Sequence, residues 1–346
     1  MPRVIESPDQ FIIIGENIHT TRVVRRNGVR ATTLEDGVEA VTYTGQNGEI
    51  RYVTVPEHFK KTQPYEQGNL KHFMIAVWKG VHGDADEEAE AAAYIHHEAN
   101  RQVAAGAHFL DLNVDEVSYK LDEQKQSMEW LVQTAQQVSS VPLSIDSSNV
   151  EIIETGLNAY DGSRGRPMLN SVALERIDAL DLIGVHDARV VVTAASVDGM
   201  PSDAADRVRN VGEITEAALS RGVPASDIYI DALVFPISVA AEYGRHYLDA
   251  VMEIRQQFGN EIHITGGLSN VSFGLPVRKL INETFIHLAI QHGADSGIID
   301  PIQTRAGNVY NLDTESTPVK TATALLMGED EYCVNYLKAY RAGELS

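Results

Sequence analysis

Residues able to accept hydrogen bonds stand where most of the short apolar segments of this chain end. A carboxylate accepts hydrogen bonds, and a carboxamide both accepts and donates them. Almost none of these positions is cationic. We therefore expect a binding site for a ligand rich in N–H donors, such as a nitrogen heterocycle, built from Glu16, Asn17, Asp111, Asn113, Asp146, Asn170, Asp231, Asn270 and Asp300.

Eight short apolar segments predict the strands that position these residues. In order they read FIIIGEN, FLDLN, PLSID, PMLN, RVVVTA, IYID, HITGGLSN and SGIID, so that the seventh strand is expected to end on Asn270. Helical patterns occupy about residues 84–106, 120–138, 149–159, 202–220, 239–257, 277–292 and 315–342, the last with two helices. Because strands that alternate with helices form a parallel sheet, we expect an α/β protein, a (β/α)8 TIM barrel. The carboxyl ends of its strands would form one shared site.

The chain is long enough for one barrel with additions. Since a TIM barrel needs about 250 residues, residues 1–346 are expected to form a single domain. The stretch at about 20–83 is too long for an ordinary barrel loop, and the alternating pattern on both sides of Gln46-Asn47-Gly48 predicts a β-hairpin. An insertion after the first strand would lie on the rim of the site. It would cover the pocket, dock a partner, or have no functional role.

Composition narrows the classes of partner. The formal net charge of −21 argues against nucleic acid and anionic membranes, which attract positive surfaces. The beginning of the chain, MPRVIESPDQF, is too acidic for a signal peptide, and the chain has no apolar run of about 18 residues. We therefore expect a cytoplasmic protein.

The cysteine and histidine residues do not predict a metal site. Cys333 is the only cysteine, which excludes an intrachain disulfide, and its expected role is that of a partly buried helix residue. His96 and His97 are neighbours on a helix and point about 100° apart, so both cannot face one metal ion. His19, beside the first strand, is the one histidine retained as a candidate for the pocket.

Six motifs of this chain resemble the pterin-binding (β/α)8 barrel family. Within that family they are similar to methyltetrahydrofolate:corrinoid methyltransferases and to the folate-binding module of cobalamin-dependent methionine synthase. GLSNVSF, followed by VRKLINETF, is the most specific part of the resemblance. The motifs are IIGEN at 13–17, LDLNVDE at 110–116, PLSIDSSN at 142–149, MLNS at 168–171, YIDALVFP at 229–236 and GGLSNVSFG at 266–274.

The resemblance assigns the central roles. It implies that Asp146, Asn170 and Asp231 bind the pyrimidine side of a pterin, with Asp231 as the dominant contact. It also implies that Asn270 lies beside nitrogen-5 of a folate, where a neutral amide can hydrogen-bond the nitrogen as positive charge develops. The structural alternative for the first three residues is to cap a strand or bind a neighbouring helix terminus, and for Asn270 it is a turn position after the strand.

Other residues have less specific predictions. Asn113 is expected to contact the ligand directly, while Asp111, Glu16 and Asp300 are expected at the mouth of the barrel. The alternative for Asp300 is a turn formed with the proline that follows. Arg278 would contact the pterin carbonyl or the anionic tail of the folate, or form a surface salt bridge.

The implied activity is transfer of a methyl group between tetrahydrofolate, or 5-methyltetrahydrofolate, and a corrinoid (cobalamin) cofactor. The sequence has no recognisable DxHxxG corrinoid-binding motif, so we expect the corrinoid on a separate partner protein. The direction of transfer is not encoded, and a homodimer is left open.

Two alternatives remain. Dihydropteroate synthase also binds a pterin in this barrel, but its pattern has an Arg-Lys pair near the seventh strand and an Asp-Ser-Phe loop after the first. This chain has Ser-Asn-Val-Ser-Phe and GENIHTT there. A non-catalytic pterin-binding accessory barrel, docking through the insertion, is the other alternative.

Overall fold

A computed structural model describes residues 5–45 and 47–345. Within these residues, eight parallel strands form one sheet in the order β7-β6-β5-β4-β3-β2-β1-β8. Their bounds are β1 (Ile12–His19), β2 (Phe109–Asn113), β3 (Leu143–Asp146), β4 (Met168–Val172), β5 (Arg189–Thr193), β6 (Ile228–Asp231), β7 (His263–Thr265) and β8 (Ser296–Ile299).

The two strands at the ends of that order are also joined. Gly267, just after β7, forms a parallel bridge with Ile298 of β8. The N–H of Ile298 donates to the carbonyl of Gly266 across 2.9 Å. The prediction of a (β/α)8 TIM barrel is confirmed.

The helices that follow the strands correspond to the predicted helical patterns, except for Asp181–His186, which was not predicted. They are α1 (Ala85–Ala104), α2 (Leu121–Gln136), α3 (Val150–Ala159), α4 (Asp181–His186), α5 (Ala204–Ser220), α6 (Tyr243–Phe258), α7 (Arg278–His292) and α8 (Thr317–Leu326). Shorter or additional α-helices are Gln63–Glu66, His72–His82, Ala306–Tyr310 and Val334–Arg341. Turns of 3-10 helix cover Pro8–Gln10, Glu57–Lys61, Gly162–Arg164, Leu174–Leu180, Ala225–Asp227, Leu268–Ser272 and Glu331–Cys333.

Side-chain caps explain where two of these helices begin. The Asn149 side chain accepts from the N–H of Glu151 at the start of α3, and Asp203 accepts from the N–H of Asp206 at the start of α5. Asn and Asp are favoured there because they satisfy amide groups that have no partner within the helix.

The prediction that the seventh strand ends on Asn270 is wrong. The strand ends at Thr265, and Asn270 lies in the 3-10 helix Leu268–Ser272. Gly266 and Gly267, which follow the strand, lie close to other side chains. A Cβ on Gly266 would lie 3.0 Å from Oη of Tyr247, and one on Gly267 would lie 2.7 Å from Nδ2 of Asn270.

Among its described residues, the insertion contains the predicted hairpin and three further strands. Glu39–Thr44 pairs with Ile50–Thr54 and also with Ala31–Thr33, giving a three-stranded antiparallel sheet. Val24–Arg25 pairs with Asn69–Leu70 in a separate ribbon. The hairpin is confirmed, although Gln46 of its turn lies outside the described residues.

The chain divides into two compact units. The first consists of Met1–Gly15, Ala105–His108 and Leu169–Ser346, and the second of Glu16–Ala104 and Phe109–Met168. The interpretation of residues 1–346 as a single domain stays a prediction. Of the helices in the described ranges, none is long and apolar enough to cross a membrane.

Candidate functional site

Asp231, in the first unit, is a buried carboxylate at the end of β6. Only 9% of its surface is exposed. Its Oδ1 accepts from the N–H of Leu233 at 2.7 Å, whereas Oδ2 has no hydrogen-bond partner among the residues that the structure describes. Burial raises the pKa of Asp231 to about 6, although the Leu233 hydrogen bond and the charge of Arg207 act in the opposite direction. One oxygen of this carboxylate is therefore available to accept hydrogen bonds from a ligand.

Threonines stand on both sides of Asp231 in the sheet. Thr193 of β5 and Thr265 of β7 are each in register with Asp231, so the three side chains point to the same face of the sheet. Both threonine hydroxyls are buried and have no hydrogen-bond partner within residues 5–45 and 47–345. Threonine is also an ordinary strand residue, so the sequence pattern does not mark Thr193 or Thr265 as site residues.

Two further predicted residues of the first unit are Asp300 and Asn170, which lies within β4 and not at its end as predicted. Asn170 is buried in β4, with 6% of its surface exposed. Asp300 directly follows β8, and its carboxylate accepts from the N–H groups of Ile302 and Gln303 at 3.0 and 3.1 Å and from Nε2 of Gln303 at 2.6 Å. The carboxylate of Asp300 thus stabilises the turn that follows β8, which is the alternative role given for it above. A contact between Asp300 and a ligand stays a prediction.

Asn270 is half-buried and lies in a 3-10 turn that hydrogen bonds stabilise. Its N–H donates to the carbonyl of Gly267 at 3.0 Å. Arg278 donates from Nε to Oγ of Ser272 and from Nη2 to the carbonyl of Ser269, both at 2.9 Å. These bonds tie the first turn of α7 to the 3-10 helix that carries Asn270. A contact between Arg278 and a ligand stays a prediction.

In the second unit, the structure brings Asn113, Asp146 and His19 together. Nδ2 of Asn113 donates to Oδ2 of Asp146 at 2.8 Å, while its Oδ1 accepts from the N–H of Asp115 at 3.0 Å. The orientation of the carboxamide is therefore determined by two different partners. Nε2 of His19 lies 3.8 Å from the same Oδ2.

His19 is a neutral imidazole whose protonated nitrogen faces Asp146. Burial, and next the charge of Arg22, lower the pKa of His19 to about 4. Its Nδ1 accepts from the backbone N–H of Thr21 at 3.2 Å. Because a backbone N–H can only donate, the proton of the neutral ring is on Nε2, which faces Asp146.

Glu16 and Asp111 are held by bonds within the second unit. Nη2 of Arg22 contacts Oε1 of Glu16 at 2.8 Å, and Oγ of Ser144 donates to Oδ1 of Asp111 at 2.6 Å. Asp111 is buried, with 3% of its surface exposed. Both carboxylates have local structural roles, and their position around a bound ligand stays a prediction.

Active sites of TIM barrels lie at the carboxyl ends of the strands, where this chain has a buried carboxylate at the end of β6 and a carboxamide at the end of β2. Comparison with known proteins identifies the family. Residues 84–300 match the model of the family described as pterin binding enzyme. The chain belongs to this family, as its motifs predict.

Individual relatives agree with the family assignment. The chain is 29% identical over 264 residues to methylcorrinoid:tetrahydrofolate methyltransferase of Eubacterium limosum, an alignment covering 75% of this chain and 91% of the relative. It is 31% identical over 219 residues to methionine synthase of Mycobacterium leprae (strain TN), covering 58% of this chain but 17% of that protein.

A solved structure shows the fold alone. Dihydropteroate synthase of Xanthomonas albilineans with 4-aminobenzoic acid superposes with a TM-score of 0.52 at 19% identity, covering 67% of this chain and 88% of that one. Because the identity is low, the similarity does not extend to the reaction.

Proposed function

We propose that this protein moves a methyl group between nitrogen-5 of tetrahydrofolate and a corrinoid carried by a separate protein. Membership of the pterin-binding family and the similarity to a methylcorrinoid:tetrahydrofolate methyltransferase support the reaction class. The observation that carries the proposal is the buried carboxylate of Asp231, whose Oδ2 has no partner among the described residues.

The chemistry of a pterin matches such a carboxylate. Its pyrimidine ring presents a 2-amino group beside a ring N–H, and both donate hydrogen bonds. With a pKa of about 6, Asp231 is about nine-tenths ionised at pH 7 and accepts from such donors. The buried amide of Asn170 both donates and accepts, so it complements a ring that also carries a carbonyl.

Asn270 is the proposed catalytic residue. When the methyl group leaves nitrogen-5, the carbon–nitrogen bond breaks and the nitrogen must gain a proton. The carbonyl oxygen of Asn270 can accept a hydrogen bond from the protonated nitrogen without adding a charge that opposes it. The corrinoid supplies a cobalt that accepts or donates the methyl group. In the reverse direction the nitrogen-5 lone pair takes up the methyl group, and the proton passes to solvent.

Asn113 and Asp146 are proposed as additional folate contacts. Their support is the hydrogen bond between them and the neutral His19 beside Asp146. A carboxylate oriented by a neighbouring amide keeps its remaining lone pairs directed at a ligand. Asn113 is therefore tested separately from Asp231.

Calorimetric titration with 5-methyltetrahydrofolate tests the binding half of the proposal. Saturable binding to wild-type protein, weakened in Asp231→Ala, is the expected result. Absence of binding to a chain shown to be folded would contradict the proposal and both pterin-binding alternatives.

A spectroscopic assay tests the reaction. Wild-type protein mixed with tetrahydrofolate and free methylcobalamin should produce methyltetrahydrofolate and reduced cobalamin, followed by absorbance. Folate binding without any methyl transfer, even with candidate corrinoid proteins from the same cell, would favour the accessory-barrel alternative. Formation of dihydropteroate from a pterin pyrophosphate and 4-aminobenzoate would favour the synthase alternative.

The separate corrinoid partner has its own test. The protein purified alone should contain no stoichiometric cobalamin. Cobalt at one equivalent per chain, measured by elemental analysis, would contradict the separate carrier.

A further inference from the structure

Arg207 of α5 is an arginine whose surface is fully buried, with 0% exposed. Its Nε donates to the carbonyl of Leu233 at 3.2 Å, and Nη1 donates to the carbonyl of Asp203 at 2.9 Å. The guanidinium carbon lies 4.9 Å from the centre of the Phe235 ring. Its Nη2 is buried and has no hydrogen-bond partner in the part of the chain that the structure describes. Burying such a charge is costly, so a role beyond packing is expected.

Leu233 connects Arg207 directly to Asp231. The carbonyl of Leu233 accepts from Arg207, and its N–H donates to Oδ1 of Asp231 at 2.7 Å. Leu233 has a φ of 62°, in the left-handed region that side chains other than glycine rarely adopt. The strain of this conformation is offset by hydrogen bonds on both sides of the same residue.

The charges of Arg207 and Asp231 also act on each other. Burial raises the pKa of Asp231, and Arg207 lowers it. Burial lowers the pKa of Arg207, and nearby groups raise it, Asp231 among them. The pKa of Tyr247 on α6 is raised by burial and then by Asp231. The titratable groups facing this pair are Tyr243, Tyr247, Asp203 and Asp206.

We propose that Arg207 is the positioning residue for Asp231: it holds Leu233 in the conformation that directs its N–H at Oδ1, and its charge keeps the carboxylate ionised. Oδ2 then accepts hydrogen bonds from adjacent N–H donors of a heterocyclic ligand. If Asp231 were protonated at Oδ2, its O–H group would face the N–H donors of the ligand and could not accept from them. The identity of the ligand rests on the proposed function, whereas the coupling between the two residues does not.

A double-mutant cycle without any ligand tests the coupling. Urea unfolding is measured at pH 5 and pH 8 for wild type, R207M, D231N and the double variant. Methionine removes the charge and fills similar space without burying an unpaired polar group. At pH 5 only about one tenth of a carboxyl group with a pKa of about 6 is ionised. The coupling free energy between Arg207 and Asp231 should therefore be measurable at pH 8 and severalfold smaller at pH 5.

Two outcomes would overturn the proposal. A coupling free energy of equal size at both pH values would indicate a structural role alone, and a coupling free energy of zero at both would show that the two residues are independent. If R207M does not fold, R207Q replaces it, since glutamine is neutral and retains an amide donor for the carbonyl of Leu233. R209Q, on the same helix but 65% exposed and paired with Asp206, controls for the change in net charge.

Titration with 5-methyltetrahydrofolate between pH 5 and pH 8.5 provides the second readout. R207M should move the midpoint of the pH dependence upward by about one pH unit, while R207K should restore it toward the wild-type value. A uniform loss of affinity at every pH in both variants would contradict the proposal. If wild type does not bind folate, the proposed function fails, and the unfolding cycle still decides the role of Arg207.

Discussion

Asn113 and Asp146 share a hydrogen bond of 2.8 Å from Nδ2 to Oδ2, and the N–H of Asp115 occupies the other end of the carboxamide. These two bonds determine which way the amide points. Asp146 consequently has a neutral neighbour that keeps its carboxylate in one orientation. A carboxylate that is already held in one orientation loses less conformational entropy when it binds a ligand.

Replacing Asn113 tests whether this orientation affects folate binding. Asn113→Ala should weaken 5-methyltetrahydrofolate binding by about 1 kcal/mol, the usual contribution of one hydrogen bond, as measured by calorimetry. Asn308→Ala, an exposed asparagine that bonds Glu283, is the control. Unchanged affinity in a folded Asn113→Ala protein would remove Asn113 and its partner from the folate contacts.

Asp231 should make folate binding depend on pH. Its raised pKa of about 6 means that the carboxylate is ionised above this value and protonated below it. Because the ionised form accepts from pterin donors, the affinity of wild type should be highest above pH 7 and fall as the pH decreases through about 6. Asp231→Asn should remove this pH dependence. An equally steep profile in that variant would assign the effect to another group.

Removing the Asp231 side chain should weaken binding itself. Asp231→Ala should cost on the order of 1 to 3 kcal/mol, because pterin donors are left unpaired. The measurement is calorimetric titration at pH 8, with the fold checked by circular dichroism. Asp249→Ala, a carboxylate on α6 that pairs with Arg245, serves as control and should bind normally.

Asn270 should affect the reaction rather than binding. Asn270→Ala is expected to slow methyl transfer by roughly 10² or more, the scale of losing one preorganised partner of a developing charge. Affinity for 5-methyltetrahydrofolate should change little. Single-turnover rates and calorimetry separate the two effects. Equal rates in variant and wild type would remove Asn270 from the mechanism.

Gly267 should be required for the position of the Asn270 amide. A Cβ there would lie 2.7 Å from Nδ2 of Asn270, so Gly267→Ala must displace the amide. We expect this variant to slow methyl transfer while folate binding persists. Combining it with Asn270→Ala should cause little further loss, because both changes remove the same group. Additive losses would mean that Gly267 acts independently of Asn270.

The order of the eight barrel strands, and of most helices between them, follows from the sequence alone. Apolar segments such as Val190-Val191-Val192 in β5 and the amphipathic patterns between them depend on residues close together in the chain. The polar residues at the strand ends follow from the same local pattern, so Asp231 and Asn113 were predicted as site residues. The hairpin of the insertion was also predicted, because turn residues and alternation are local signals.

Only the tertiary structure decided how these residues are paired and buried. Asn270 lies on a 3-10 turn after Gly266 and Gly267, which lie close to side chains that the local pattern does not reveal. The pKa of Asp231 and the burial of Arg207 depend on interactions between residues 24 to 28 positions apart, such as Arg207 with Asp231 and with Phe235. Electrostatics and packing act through space, and for that reason the sequence predicted the acceptors but not which of their oxygens has a partner.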